Sequence, residues 1–183
     1  MKPTDILKNE HKAILLMLEV VESVSGKLEV GENIPAEHLT EIVDFIQGFA
    51  DRCHHAKEED LLFPAMEKAG IPRQGGPIGV MLIEHTEGRE YVRKMKDAAE
   101  KYAAGDKKAG VRFAENARGY AALLSQHIHK EDNILYPIAD ARLSPKTQAG
   151  LEKDFERVEE EVVGAGKHEE YHRLLEKLEK TYC

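Results

Sequence analysis

Two stretches of this 183-residue sequence carry the same reactive side chains in the same order. Residues 53 to 64 read CHHAKEEDLLFP and residues 126 to 137 read QHIHKEDNILYP. A shift of 73 positions superimposes His54 on His127, Lys57 on Lys130, Glu58 on Glu131, Phe63 on Tyr136 and Pro64 on Pro137. Upstream, Asn9-Glu10-His11-Lys12 corresponds to Ile83-Glu84-His85-Thr86, and the single His precedes the paired His by 43 residues in one half and 42 in the other. Residues four apart on a helix lie on one face, about 6 Å apart along the axis, so His-x-x-x-Glu aims an imidazole and a carboxylate the same way. Two such helices and two single-His helices bring His11, His54, Glu58, His85, His127 and Glu131 to one depth. Isolated buried carboxylates cost several kcal/mol each, and a bound cation is the natural compensation.

The donor set narrows the cation. Six ligands exceed the usual four of zinc, and no thiolate takes part. Mixed imidazole and carboxylate donors suit iron, manganese or zinc, and bridging carboxylates favour two ions. Two six-coordinate irons would be served by four imidazoles, two bridging carboxylates and an oxo or hydroxo bridge, with two positions left for a small ligand. Zinc or manganese substitution is compatible with the same donors.

Long helices must hold these residues. Thr4 can cap a first helix to about Gly26 or Gly31, in which Leu7, His11, Ile14, Leu18 and Val21 share a stripe. A second runs from about Ala36 to Lys68, with Ile42, Phe45, Phe49, His54, Glu58 and Leu61 facing inward and Pro64 kinking or ending its last turn. The stretch AGIPRQGGPIG (69 to 79) is a loop and lacks the Lys-Ser/Thr pair of a phosphate cradle. A third helix spans about 78 to 104. Asp106 caps a fourth to about Ala141, with Phe113, Tyr120, Leu124, His127, Glu131, Ile134 and Ile138 in register. Short connections predict an all-α, up-down antiparallel four-helix bundle over residues 1–141. Ser144-Pro145 starts a C-terminal helical extension, 142–183, with the pattern Leu151, Phe155, Val158 and Val162, interrupted at Gly164 to Gly166. It is expected to cover the bundle or to form a homo-oligomer contact.

The order His, His-x-x-x-Glu, His, His-x-x-x-Glu, with the local text HHAKEEDLLFP and HIHKEDNILYP, resembles the hemerythrin family in its prokaryotic HHE cation-binding branch. The resemblance covers about residues 4 to 141. It implies a non-haem di-iron centre, bridged by Glu58 and Glu131, that binds O₂ or a related small ligand such as NO or peroxide. Oxygen-carrying hemerythrins use a fifth His one turn after the third-helix ligand and an Asp as the last bridge. Here Arg89 stands on that turn and Glu131 replaces the Asp, which points to a reactive site before a reversible oxygen carrier. His55 and His129 adjoin ligands and are candidates for a fifth imidazole. A neighbouring residue points about 100° away around a helix, so both are expected at the surface or as hydrogen-bond partners. Glu10 and Glu84 are expected to hold metal-bound imidazoles. Gly88 offers space beside the metals, and Tyr120 shares the face of His127. His38, His168 and His172 lie outside the repeat and are expected to be solvated.

Composition excludes other classes. A net charge of −8 without a long basic run argues against nucleic acid or an anionic membrane as partner. MKPTDILKNEHK is too charged for a signal peptide, and no apolar run approaches about 20 residues, so the expected address is cytoplasmic. Cys53 and Cys183 form no metal-binding pair, and Cys53 reads as a small buried residue. Three functions follow: sensing, storage or scavenging of a small ligand at a di-iron site; a peroxide- or O₂-consuming oxidoreductase or an NO-responsive iron-sulfur repair protein; and an iron sensor acting through protein contacts. Repair proteins resemble this domain preceded by a Cys-bearing segment; no Cys stands in MKPTDILKNEHK, so the repair reading is expected to be the weaker one.

Overall fold

The computed structural model describes residues 1–183 as six helices without a strand. Helix α1 is Pro3–Glu29. Helix α2 is one rod built from Ala36–Phe45, π-helical turns at Ile46–His55 and Glu58–Leu62, and Phe63–Lys68. Helix α3 is Pro77–Ala103. Helix α4 joins Lys108–Lys130, a π-helical turn at Glu131–Leu135, and Tyr136–Arg142. The extension supplies α5, Pro145–Arg157 continued by a π-helical Val158–Gly164, and α6, Lys167–Tyr182. No helix is long and apolar enough to cross a membrane.

The first four helices form the antiparallel bundle. Their starts follow local chemistry, with one correction. Pro3 opens α1 and the Lys2 backbone N–H donates to Asp5 at 3.1 Å, so Thr4 does not cap the helix. Its hydroxyl donates instead to Asp140 at 2.6 Å, tying the start of α1 to the end of α4. Asp106 accepts the N–H of Lys108, and Ser144 accepts that of Thr147 ahead of Pro145, as capping chemistry requires.

The π-helical turns are what the sequence pattern did not show. Pro64 and Pro137 have no N–H and clash with the preceding turn of a regular helix. In both halves a wide turn accommodates the proline without ending the rod. Each wide turn takes one extra residue, and the inward face moves by one residue. Ile134, expected inside, is 52 % exposed, whereas Leu135 and Tyr136 are fully buried. Leu61 is likewise half-buried while Leu62 and Phe63 are enclosed. Val162, in the wide turn that ends α5, also faces solvent.

The core is two apolar clusters. One, around Val21, Ile42, Phe45, Phe49 and Phe113, receives Tyr171, Leu175 and Leu178 from α6. The other, around Leu7, Leu62, Phe63 and Tyr136, receives Leu151 and Phe155 from α5. Gly48 is the socket for α6, because a Cβ there would collide with the Tyr171 hydroxyl. On every bundle helix the repeated His falls between residues of the two clusters, so a single polar layer divides the core.

Candidate metal centre

In that layer His11, His54, Glu58, His85, His127 and Glu131 converge, each 1 % exposed or less. They fall into two groups that share the Glu58 carboxylate. His11, His54, Glu58 and Glu131 make one group, and His85, His127, Glu58 and His55 make the other. Each carboxylate divides its oxygens between the groups. Glu58 Oε1 lies 3.7 Å from His54 Nε2, and its Oε2 lies 3.2 Å from His85 Nε2. Glu131 Oε2 lies 3.0 Å from His11 Nε2, and its Oε1 lies 3.0 Å from His127 Nε2.

Hydrogen bonding fixes the imidazoles from behind. Asp132 faces His11 Nδ1 and Glu59 faces His85 Nδ1, both at 2.7 Å. Glu10 faces His54 Nδ1 and Glu84 faces His127 Nδ1, both at 3.0 Å. Glu10 and Glu84 thus hold an imidazole, but that of the paired-His helix and not of the single His they precede. Lys57 donates to Glu10 at 2.5 Å and Lys130 donates to Glu84. With every Nδ1 engaged, the four Nε2 atoms face inward, the arrangement that orients metal-bound histidines. Asp132 and Glu59 are equivalent in the repeat, each following a central Glu, and that signal was present in the sequence.

The residues fit a cation. His54 Nε2, Glu58 Oε2 and Glu131 Oε1 are buried without a hydrogen-bond partner, and such atoms cost about 1–3 kcal/mol each. His85 and His127 bring Nε2 atoms within 3.2 Å of one another, an approach that a shared cation relieves. Burial disfavours charge on His11, yet the carboxylates of Asp132 and Glu131 outweigh it and push its pKa up to about 10. Burial also opposes charge on His85, but Glu131, Glu58 and Glu59 push it up to about 11. Burial dominates at His54 and pulls it down to about 3. Burial works against the Glu131 carboxylate, but His127, His11 and His85 hold its pKa well below the usual range. Protons on His11 and His85 therefore compete with a cation for the Nε2 atoms.

His55 is not at the surface, one of the two places expected for it, but is a buried hydrogen-bond partner. It is 4 % exposed, stacked on His85 with centroids 3.8 Å apart and planes at 20°, and its Nδ1 lies 3.3 Å from Asp51. The 100° argument assumes a regular α-helix, and His54 and His55 end a π-helical stretch that turns both inward. His129 is exposed. Arg89, in place of a fifth His, donates to Asp51 at 2.9 Å and to Glu59 at 2.6 Å. One guanidinium thereby clamps the two carboxylates behind His55 and His85. His38 is also a correction: it is 8 % exposed, with Nδ1 2.5 Å from the Tyr182 hydroxyl, because α6 closes over it. His168 is half-buried by the same docking, and His172 is exposed.

The two groups differ in access. Tyr136, given no role by its place in the repeat, donates to Glu58 Oε1 at 2.6 Å and lies 3.4 Å from His11 Nε2, closing the first group. On the second, a cavity of about 370 Å³ reaches His55 and His85 and is lined by Gly88, Arg89 and Tyr120 among others. A Cβ on Gly88 would make only ordinary contacts with Leu124 and Tyr120, so this glycine contributes room without being required by packing. Cys53 is 1 % exposed, and burial together with Glu10 pushes its thiol up to about 12.

Comparison with known proteins agrees with this site. The hemerythrin HHE cation-binding domain matches residues 2–139. The uncharacterized protein Rv1995 of Mycobacterium tuberculosis is 25 % identical over 162 residues, covering 88 % of this chain and 62 % of that protein. The iron-sulfur cluster repair protein YtfE of Musicola paradisiaca is 32 % identical over 129 residues, covering 69 % of this chain and 55 % of its own. YtfE of Salmonella schwarzengrund is 38 % identical over 90 residues, 47 % of this chain and 40 % of that protein. The chain therefore spans less than two thirds of the length of these relatives. No solved structure matches. With a match over most of its length and paired His and Glu groups able to hold metal, the chain belongs to the hemerythrin family, as a protein with an HHE cation-binding domain.

Proposed function

We propose that this chain is a non-haem di-iron protein that takes up O₂ or a related small ligand, NO or peroxide, for sensing, storage or scavenging in the cytoplasm. The observation that carries this reading is the division of the Glu58 and Glu131 oxygens between two histidine groups. One cation would use one oxygen of each carboxylate, whereas two cations use both. His11 and His54 would hold the first ion and His85 and His127 the second, with Glu58 and Glu131 between them. His55 offers the second ion a further imidazole. When bound, the iron pair supplies exchangeable coordination positions and redox electrons.

The chain's own residues do the rest. Glu10, Glu59, Glu84 and Asp132 keep the inward nitrogens free for metal. Tyr136 keeps the first side closed, and the cavity beside His55 and His85 admits a small molecule to the second. Metal analysis combined with anaerobic titration by O₂, NO and peroxide tests the reading. Two irons per chain and a new iron charge-transfer absorption on ligand addition are expected. A protein that carries one ion, or whose spectrum is unmoved by all three ligands, contradicts it.

The likeness to proteins named for iron-sulfur cluster repair favours a second reading, in which the iron pair takes part in NO-responsive repair. Recovery of activity in a damaged iron-sulfur enzyme, present with the wild type and lost in Glu58→Ala, would separate repair from simple ligand uptake. Steady peroxide consumption would instead mark an oxidoreductase.

A further inference from the structure

The C-terminal extension carries a second cluster of metal-ligating side chains. His168 and His172 lie one turn apart on the same face of α6, with Nε2 atoms 2.8 Å from each other and ring planes at 53°. His168 Nδ1 is buried without a hydrogen-bond partner, with Glu159 Oε1 3.4 Å away on that side, and its Nε2 faces His172. A carboxylate thus stands behind this imidazole, on the side from which carboxylates orient metal-bound histidines, at a longer distance than in the bundle centre. The Phe49 ring lies against both imidazoles, at 5.2 and 5.6 Å between centroids, and holds the pair from the bundle side. A cavity of about 240 Å³ opens beneath them, bordered by Glu10, Glu159 and Asn9.

Two histidines four apart on one helical face form a bidentate chelate for a divalent transition cation. Glu10 and Glu159 are engaged by Lys57, at 2.5 and 2.8 Å, so this ammonium fills the space between them and a cation belongs at the outer histidines. We propose that His168 and His172, held against the Phe49 ring with the Glu159 carboxylate behind His168, form a mononuclear site for a divalent transition-metal ion, separate from the paired centre. Its remaining coordination is completed by solvent through the cavity. The site depends on the docking of α6, because Phe49 and Glu159 come from other elements.

Titration of the iron-loaded 183-residue chain with Zn²⁺ in a calorimeter tests the proposal. Wild type takes up one Zn²⁺ beyond its iron. His172→Ala, a change at an exposed position, and His168→Ala each weaken that uptake about 10-fold or more, and His129→Ala, at another exposed helical histidine, leaves it unchanged. Equal zinc uptake by wild type and the His168→Ala/His172→Ala double variant overturns the proposal. Loss of the zinc in His38→Ala, which would place it with Glu37 and Glu41, overturns it too. The site is independent of the central reading, since His54→Ala, which disturbs the paired centre, is expected to retain this zinc equivalent.

Discussion

The two halves of the repeat build the same ligands and surround them differently. Around the first group, Lys57 is fully buried between Glu10 and Glu159, and α5 and α6 lie over it. The equivalent Lys130 pairs with Glu84 alone and stays 35 % exposed. Tyr136 bonds the shared carboxylate Glu58 on the first side, whereas its repeat partner Phe63 has no hydroxyl to offer on the second. There, an open cavity ends at His55 and His85, and Arg89 clamps the carboxylates behind them. A duplicated sequence has thus given one enclosed histidine group and one reachable group, and the difference lies in the supporting groups.

Four substitutions break or sharpen that contrast. The largest effect is expected where the sides are identical. Glu58→Ala removes a donor common to both groups and should lower metal content from about two ions per chain to well below one, by elemental analysis. Arg89→Ala acts on one side only. It should weaken retention of the second ion about 10- to 100-fold in competition with a chelator, with the first ion little affected. Equal loss of both ions would show that the two sides respond as a unit.

Smaller changes probe the enclosed side. Tyr136→Phe recreates the residue of the other half and should cost about 1–2 kcal/mol in reversible unfolding while metal content is kept. Glu159→Gln should cost about 1 kcal/mol at neutral pH, a modest value because the carboxylate is partly exposed. His168 and Lys57 hold the Glu159 pKa down to about 2 from an ordinary 4.5. Its contribution is therefore full above about pH 4.5 and lost as pH falls toward 2. The stability difference between wild type and Glu159→Gln should shrink across that window in acid unfolding titrations.

Helix number, helix ends and the convergence of the six repeated residues were legible in the sequence, because apolar spacing and capping chemistry act locally. The Ser144-Pro145 start and the break at Gly164 to Gly166 follow from the same local rules, and positive φ angles at Gly164 and Gly166 execute that break. What could not be read came from two sources. One was the assumption of 3.6 residues per turn, which placed His55 outside and Ile134 inside; the wide turns reverse both. The other was tertiary contact across helices. Nothing near Arg89 in sequence reveals that Asp51 and Glu59 meet it, and His38 is covered by a residue 144 positions away. Asp132 and Glu59 lie between these cases, visible as a repeated acidic position whose target was hidden.

The wide turns before Pro64 and Pro137 also set how the chain tolerates changes of length. A π-helical turn is a regular helix carrying one surplus residue, so each rod has a built-in phase step just after its central glutamate. Deleting Ile134 would remove the surplus residue and restore a regular turn in which Tyr136 stands four residues after Glu131, on the same face, so Tyr136 would keep its reach to Glu58. Deletions inside and outside this step are therefore unequal events: one residue lost within the wide turn is absorbed, whereas one lost from the regular helix between His127 and Glu131 would turn the two donors apart by about 100°.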